Sequence, residues 1–329
     1  MSRESIILLS FLSLFSYNEA GGQPPGGGGA VFNVMDFGAT HSKEDESSQA
    51  FIQAWNAACH SQGKATMLVP PGFFLLGETV FQGPCQNPVT ILVQGTLQAV
   101  ADMSLYSGEG WISLEDIDGL TLTGGGTFDG QGQAVWKYND CQGSSSSCAR
   151  LPASIHMMKV NRTMIQQVNM VNSMGFHMHI TRCEEVRIQK LAVTAPGDSP
   201  NTDGIHISKS RAVKVSMSVF RTGDDCISVG QGANNVTINQ ITCGPGHGIS
   251  VGSLGRLPNE LDVRGLQVKN CTLVGTTNGL RIKTYPASGP SAAAGILFED
   301  IVLENVENPI IIDQNYGSKS TEVCMYLDS

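Results

Sequence analysis

The sequence predicts an all-β fold of the solenoid kind, a parallel β-helix with a helical cap over its first coil. Two series of short segments rich in β-branched residues interleave along the chain. The first series comprises residues 164–171, 186–193, 213–220, 236–243, 266–273 and 296–303. The second series comprises residues 176–180, 205–208, 227–230, 249–252, 280–283 and 310–313. Segments of the first series start 22, 27, 23, 30 and 30 residues apart, and so long a period indicates stacked coils rather than hairpins.

The composition excludes several classes of protein. Charged residues make up 15% of the chain and 38 of its 329 residues are glycine, which is atypical of a coiled coil or a disordered chain. Hydrophobic residues make up 41%, enough for a substantial core. The formal net charge of −9 argues against a nucleic-acid partner, because nucleic-acid binders usually carry a basic surplus.

The first twenty residues have the pattern of a signal peptide. Arg3 precedes an apolar run at 6–15, and the small residue Ala20 follows. Such a run is too short to cross a bilayer, which needs about 20 apolar residues. We therefore expect a secreted protein with no membrane partner. Residues 21–30 are read as a Gly/Pro-rich linker, and residues 31–329 as one β-helix domain.

Residues 44–60 are the one segment with a helical pattern. Its apolar side chains share a face, and they are Phe51, Ile52, Trp55, Ala58 and Cys59. Ser47 or Ser48 is expected to cap its start. A helix here would cover the otherwise exposed first coil of the stack.

Nine cysteines in a secreted chain imply disulfides and at least one leftover thiol. The sequence has no CxxC pair and no Cys/His cluster with zinc spacing, so we expect neither a metal site nor a cofactor. Three Asn-X-Thr patterns, at Asn161, Asn235 and Asn270, are candidate N-glycosylation sites.

Chemically useful residues recur in the register of the second series. The inward apolar residues Ile205, Ile227 and Ile249 are spaced by 22 residues. Two residues before them stand, in order, Asp203, Asp225 and His247, and Asp224 precedes Asp225. Residues one coil apart stack about 4.8 Å from each other. The register therefore predicts a column of two aspartates and a histidine, with a third carboxylate beside it.

The next aligned strand adds two cations to this group. Arg281 and Lys283 alternate with inward Leu280 and Ile282, so they are expected to point outward. They would share the face of His206, Ser228 and Ser250, and His177 is expected at the equivalent outward place one coil before His206.

Three carboxylates so close together repel, so at least one pKa should rise and keep its group protonated near neutral pH. A protonated acid beside ionised bases is what glycosidic-bond hydrolysis requires. Each aspartate alone could instead cap its own turn. Four polar residues in register, with two cations on the next coil, favour a catalytic site.

Four short segments carry a resemblance to a known family. They are Asn-Thr-Asp-Gly at 201–204, Gly-Asp-Asp at 223–225, Gly-His-Gly at 246–248 and Arg-Ile-Lys at 281–283. In this order they resemble the signature segments of the polygalacturonases, glycoside hydrolase family 28. Residues 31–39 and 195–200 resemble plant members most closely. The resemblance runs from about residue 31 to about residue 317.

The resemblance implies a right-handed, single-stranded parallel β-helix of the pectin-lyase-like kind. It implies hydrolysis of α-1,4-linked galacturonic acid in pectin, with inversion, without a metal, and in the plant cell wall. Asp224 would be the general acid, Asp203 and Asp225 would activate the water, and His247 would tune their protonation. The expected substrate-binding residues are Arg281, Lys283, Asn201, His177 and His206. Arg281 and Lys283 suit the carboxylate of an acidic sugar.

Disulfide pairing is only partly indicated. Cys226 with Cys243 resembles a family disulfide beside the site, Cys59 with Cys85 is a candidate second bridge, and Cys141 with Cys148 is a candidate local one. Cys183 and Cys271 lie within strand segments, where a free buried thiol is an equal alternative.

Several alternatives stay open from the sequence. A spacing of about 4.8 Å between carboxylates favours retention, since inverting enzymes separate theirs by about 6.5–9.5 Å, whereas the family implies inversion. Rhamnogalacturonan and xylogalacturonan hydrolases share the architecture, and a pectate lyase would need Ca²⁺. Residues 253–283 look slightly more like exo-acting plant members. We expect a monomer. The short C-terminal end after 310–313 suggests a truncated chain, which could be an inactive pectin binder.

Overall fold

The computed structural model describes residues 29–139, 151–286, 289 and 291–317, and they form a right-handed parallel β-helix. The predicted fold class is therefore confirmed. The predicted signal peptide, most of the linker, and Cys141, Cys148 and Cys324 lie outside the described residues. Within the described ranges, no helix combines the length and the apolar character needed to cross a bilayer.

Twenty-four strands and one α-helix make up most of the described chain. The first twelve strands are β1 (Ala30–Asn33), β2 (Ala65–Val69), β3 (Phe73–Leu76), β4 (Thr79–Gln82), β5 (Val89–Val93), β6 (Thr96–Ala99), β7 (Gly110–Glu115), β8 (Leu120–Thr123), β9 (Thr127–Asp129), β10 (Ala153–Met158), β11 (Asn161–Gln166) and β12 (Asn169–Val171). The others are β13 (Met178–Thr181), β14 (Glu184–Gln189), β15 (Ala192–Thr194), β16 (Ile205–Ser208), β17 (Arg211–Arg221), β18 (Ile227–Val229), β19 (Asn234–Cys243), β20 (Ile249–Leu254), β21 (Val263–Val274), β22 (Asn278–Thr284), β23 (Ala293–Glu304) and β24 (Asn308–Asp313). The helix is α1 (Ser48–Cys59), and short 3-10 turns lie at Val34–Phe37, Met103–Leu105, Gly132–Ala134 and Trp136–Tyr138.

The strands form two parallel sheets that correspond to the two predicted series. The first sheet contains fifteen of the described strands, and β17, β19, β21 and β23 are its long members. The second sheet contains nine, in the order β4, β7, β10, β13, β16, β18, β20, β22 and β24. Ile205 pairs with Ile227 and Ile227 with Ile249, all of them buried, as the 22-residue spacing predicts. The core lies between the sheets and is filled by such inward side chains.

Helix α1 covers the first coil, as predicted. Phe51 contacts Phe74 edge-on at 5.6 Å between ring centroids, and Trp55 lies 5.2 Å from Phe81. Ser47 stands at the N-cap, as expected, but its side chain makes no capping hydrogen bond. The Glu46 carboxylate accepts a hydrogen bond from the Ser48 backbone N–H instead, at 2.8 Å. A carboxylate at a helix start is also favoured by the helix dipole.

Left-handed backbone marks the same corner in successive coils. These positive-φ positions follow residues paired in register, and they are Arg162 (48°), Glu185 (55°), Ala212 (56°), Asn235 (55°), Gly265 (69°) and Gly295 (66°). Glycine and asparagine tolerate this conformation best. Glycine occupies the corner in the last two of these coils, and other residues adopt the same conformation in the four before them.

The three glycosylation candidates differ in accessibility. Asn235 and Asn270 are exposed at corners with positive φ. Asn161 is half-buried, and its side-chain oxygen accepts a hydrogen bond from the Glu184 backbone N–H at 3.0 Å. Glycan attachment stays a prediction, and it is best supported at Asn235 and Asn270.

The last described coil leaves apolar side chains uncovered. Ile310 and Ile312 of β24 are 73% and 68% exposed, although their counterparts Leu280 and Ile282 on β22 are largely covered. Within the described residues β24 pairs with β22 alone. Among the described residues, this end of the stack has no counterpart to the cover that α1 gives to the first coil.

Two disulfides join four of the six described cysteines. Cys59, the last residue of α1, is bonded to Cys85. Cys226, which directly follows Asp225 in the chain, is bonded to Cys243. Cys183 and Cys271 are free and buried, which resolves the alternative left open by the sequence.

Replacing both Cys226 and Cys243 by alanine should lower the free energy of unfolding by about 3 kcal/mol. The bond closes a loop with a sequence separation of 17 residues, and the chain-entropy relation gives about that value for such a loop. Chemical denaturation of the double variant measures the loss. Cys271→Ala, which removes a buried free thiol, is the control and should lose less. An unchanged denaturation midpoint in the double variant would contradict the prediction.

Candidate active site

A cleft of about 530 Å³ runs along the outer face of the second sheet. Its polar lining includes residues from several consecutive coils, among them Glu109, His179, Asp203, His206, Asp224, Asp225, Lys283 and Tyr316. The cleft thus brings the predicted carboxylates and Lys283 together on one surface.

Each predicted carboxylate stands at the turn before a strand of the second sheet. Asp203 precedes β16, Asp224 and Asp225 precede β18, and His247 precedes β20. The backbone of successive coils is joined here, since the Gly204 N–H donates to the Asp225 carbonyl at 2.9 Å. The stacking expected from the sequence spacing is therefore present.

Asp225 is the most tightly held of the three. Its Oδ1 accepts hydrogen bonds from Arg281 Nη2 at 2.8 Å and from Ser250 Oγ at 2.7 Å. Its Oδ2 accepts one from Lys283 Nζ at 2.8 Å. Burial alone would raise the pKa of Asp225, but Lys283, Arg281 and the hydrogen bonds outweigh burial and hold this pKa below its usual range. Asp225 is therefore ionised.

Asp203 has the opposite character. It is buried, and its Oδ2 accepts a hydrogen bond from Ser228 Oγ at 2.7 Å. Burial raises the pKa of Asp203 well above its usual value, and the charges of Asp224 and Asp225 raise it further. One carboxyl with a raised pKa was expected from the sequence, and here it is Asp203.

Asp224 is less buried and faces the cleft. Its Oδ1 lies 3.0 Å from His247 Nδ1 and also accepts a hydrogen bond from the Asp225 backbone N–H at 2.8 Å. The hydrogen bond to Asp224 raises the pKa of His247. Asn201 Nδ2 reaches Asp224 Oδ2 at 3.5 Å, and Asn201 Oδ1 accepts a hydrogen bond from Asn139 at 2.9 Å. His247 and Asn201 therefore hold Asp224 from two sides.

The expected position of His177 is wrong. The register pairs His179, not His177, with His206, and Met178 with Ile205. Paired residues of β13 and β16 are 27 positions apart in the chain, so residue 179 stands opposite His206. Position 177, which the sequence analysis chose, is two residues too early. His177 is fully buried, its Nε2 accepts a weak hydrogen bond from the Ser173 N–H at 3.5 Å, and burial lowers its pKa to about 4. It is a core histidine, and the outward side chain in the cleft is His179.

His206 lies in the cleft, as expected, and its Nδ1 is 2.7 Å from Ser228 Oγ. The two serines, Ser228 and Ser250, are site residues that the sequence analysis placed on this face without a role. In the strand register Ser228 pairs with His206 and with Ser250, and Ser250 pairs with Arg281. The register that placed His206 and Arg281 on this face could therefore also have identified the two serines as site residues. Tyr316 also lines the cleft, with Lys283 Nζ 5.2 Å from its ring centroid. No spacing signal pointed to it.

The carboxylate cluster is poorly suited to a metal ion. Ligand atoms of Asp224, Asp225 and His247 lie within 4.8 Å of one another. A cation there would have to displace Arg281 and Lys283 from Asp225, to which both are already paired.

Comparison with known proteins identifies the family of the chain. The model of the glycosyl hydrolases family 28 matches residues 59–325. An exopolygalacturonase of Platanus acerifolia is 46% identical over 88% of this chain and 76% of its own length. An exopolygalacturonase of Arabidopsis thaliana is 47% identical over 89% of this chain and 69% of its own length. The structure of an endo-xylogalacturonan hydrolase from Aspergillus tubingensis superposes with a TM-score of 0.76 at 27% identity, over 88% of this chain and 78% of that one. The chain belongs to family 28 of the glycosyl hydrolases.

Proposed function

We propose that this protein is a secreted polygalacturonase that hydrolyses α-1,4-galacturonosyl linkages of pectin with inversion, from the ends of the polymer. The observation that carries the proposal is that three carboxyl groups in one cleft differ in their charged partners and in their pKa shifts. Asp225 is kept ionised by Arg281 and Lys283, Asp203 has a raised pKa, and Asp224 is paired with His247. Glycosidic-bond hydrolysis needs both an acid and a base.

Asp224 is proposed as the general acid. It is the most exposed of the three carboxyls, with a side chain 18% exposed, against 1% for Asp225. Its proton goes to the glycosidic oxygen as the bond from that oxygen to the sugar C1 breaks. His247, whose pKa is raised by Asp224, is the neighbour placed to restore that proton.

Asp225 is proposed to deprotonate the attacking water, whose oxygen forms the new bond to C1, and Asp203 to help position that water. An ionised carboxylate offers about four lone-pair sites. Three on Asp225 are taken by Arg281, Ser250 and Lys283, which leaves one for the water. The raised pKa of Asp203 supports a second possibility, in which Asp203 donates the proton.

Arg281 and Lys283 are proposed to attract the carboxylate of the sugar. Both already contact Asp225, and their side chains are 12% and 7% exposed, so a sugar carboxylate would share them with Asp225. Their combined charge offsets the local repulsion between an acidic polymer and an acidic cleft.

Action from the chain end is favoured because relatives from Platanus and Arabidopsis are named exopolygalacturonases. We expect polygalacturonate digestion to give galacturonic acid as the first and dominant product, measured by reducing-sugar release and product chromatography. Asp224→Asn is the blank for contaminating activity. A ladder of short oligomers at early times would contradict end action while leaving the hydrolase assignment intact. Binding without release of reducing sugar would support the inactive pectin-binding alternative.

A second candidate substrate is xylogalacturonan, because the structure of the Aspergillus enzyme matches over most of the chain at 27% identity. Faster turnover of xylose-substituted than of plain galacturonan would favour it.

The stereochemical outcome of the reaction has its own test. Proton NMR of the first-formed anomer of the product distinguishes inversion from retention.

A further inference from the structure

Three donor side chains cluster beside the cleft, on the coils before Asp203, and two of them line it. Glu109 immediately precedes β7, His156 lies in β10 and His179 lies in β13. β10 pairs with both neighbours, and His156 stands opposite His179 in register. One ligand atom from each of the three residues lies within 4.8 Å of the other two. The hydrolytic mechanism proposed above uses none of them.

The distances in this Glu109/His156/His179 cluster are too long for good hydrogen bonds. Glu109 Oε2 lies 3.4 Å from His156 Nε2 and 3.5 Å from His179 Nδ1. Charge-assisted hydrogen bonds are about 2.7–2.9 Å long. Tetrahedral zinc, with bonds of about 2.0–2.2 Å to nitrogen and oxygen, places its ligand atoms about 3.3–3.5 Å apart. The two separations from Glu109 match those of donors that share one cation.

His156 supplies an independent observation. It is only 4% exposed, and neither ring nitrogen has a hydrogen-bond partner among the described residues. Buried polar groups are nearly always partnered.

The ligand set has a chemical preference. Two imidazoles and one carboxylate suit zinc and similar transition metals, whereas calcium and magnesium prefer oxygen ligands alone. Glu109 has a side chain 69% exposed and lines the cleft together with His179. Three protein ligands would therefore leave a fourth position open toward the cleft.

We propose that Glu109, His156 and His179 form a binding site for a divalent transition-metal ion, with Zn²⁺ as the best-matched ion. The sequence analysis predicted no metal site because these ligands are far apart in the chain. Stacking of successive coils, rather than local spacing, brings them together. The site goes beyond the proposed hydrolysis and does not depend on it.

Titration of the purified full chain with ZnCl₂ in a non-chelating buffer, followed by calorimetry, tests the site. We expect saturable binding of one ion per chain. Glu109→Gln and His179→Gln should each weaken it by more than about tenfold, since even groups that only support a metal ligand are worth about 10–100-fold. His60→Gln, at an exposed histidine outside the cluster, is the matched control and should bind as the wild type does. Circular dichroism confirms that each variant is folded, and Glu109 is exposed enough for its replacement to be tolerated.

X-ray absorption at the zinc edge gives a second readout. We expect nitrogen and oxygen ligands only, with imidazole scattering. Sulfur ligands would assign the ion to the free thiols and overturn the proposal. So would equal affinity of wild type and Glu109→Gln, the absence of saturable binding, or loss of binding in Asp224→Asn alone, which would assign the ion to the Asp224, Asp225 and His247 group.

Discussion

Asp224→Asn is expected to lower kcat on polygalacturonate by about 10²–10⁴-fold, the usual contribution of a general acid or base. The amide keeps the shape of the side chain and can still contact His247, but it has no proton to deliver to the leaving oxygen. Binding of the polymer should therefore change little. Initial rates of reducing-sugar release, with binding measured separately by calorimetry, give the two quantities.

A galacturonide with a nitrophenol leaving group separates the acid from the base. Such a leaving group needs little protonation, so Asp224→Asn should lose much less activity on it than on the polymer. Asp203→Asn is the matched comparison, at the carboxyl with the raised pKa, and should be impaired equally on both substrates. The reverse pattern would make Asp203 the acid. Retention of more than about a tenth of wild-type turnover by Asp224→Asn would remove Asp224 from that role.

Lys283→Met is expected to move the acidic limb of the pH–activity profile to higher pH and to reduce stability. Lys283 is the cation that contributes most to lowering the pKa of Asp225, so without it that pKa rises. At any pH on the acidic side a smaller fraction of Asp225 is then ionised, and activity is lost there first. Removing one partner of a buried ion pair also costs about 3–5 kcal/mol, and Lys283 is 6% exposed. Profiles of kcat/KM and chemical denaturation measure the two effects.

Lys269→Met is the control, because Lys269 forms an ion pair with Glu299 outside the cleft. It should leave the acidic limb in place. If the acidic limb of the pH–activity profile of Lys283→Met stayed in place, the effect on Asp225 would be contradicted.

Comparison with a highly methyl-esterified polymer tests the second role of Lys283, which is contact with the sugar carboxylate. A greater loss on the unesterified polymer supports contact with the sugar carboxylate, whereas an equal loss assigns Lys283 to Asp225 alone.

The sequence predicted the coils and the column of carboxylates because both depend on a repeated register. Inward Ile205, Ile227 and Ile249 are equally spaced, so Asp203 and Asp225 fall on successive coils. Where a coil has another length the same reasoning fails, as it did for His177, because the spacing to His206 is set by a turn rather than by a repeat.

The partners of charged groups could not be predicted from periodicity. Arg281 and Lys283 were expected to face the substrate, yet both are paired with Asp225, because a buried carboxylate needs compensating charge. The helix start shows the same limit. The serine at the N-cap suggested that its hydroxyl would accept a hydrogen bond from the helix backbone. The carboxylate of the neighbouring Glu46 accepts that kind of hydrogen bond instead, from the Ser48 N–H.

The stacking of one coil on the next has a consequence for how the gene can change. Asp203, Asp225, the backbone of His247 and Lys283 come from successive coils, each about 4.8 Å from the one before. Duplication or loss of a whole coil preserves the pairing of every strand, so the fold tolerates it anywhere along the stack. Inserted between residues 225 and 281, however, an extra coil would separate Asp225 from its cations, and inserted between residues 203 and 225 it would separate Asp203 from Asp225. Elsewhere it would only lengthen the cleft. The number of coils can therefore change in evolution before residue 201 and after residue 283, whereas a change between these residues would disrupt the site.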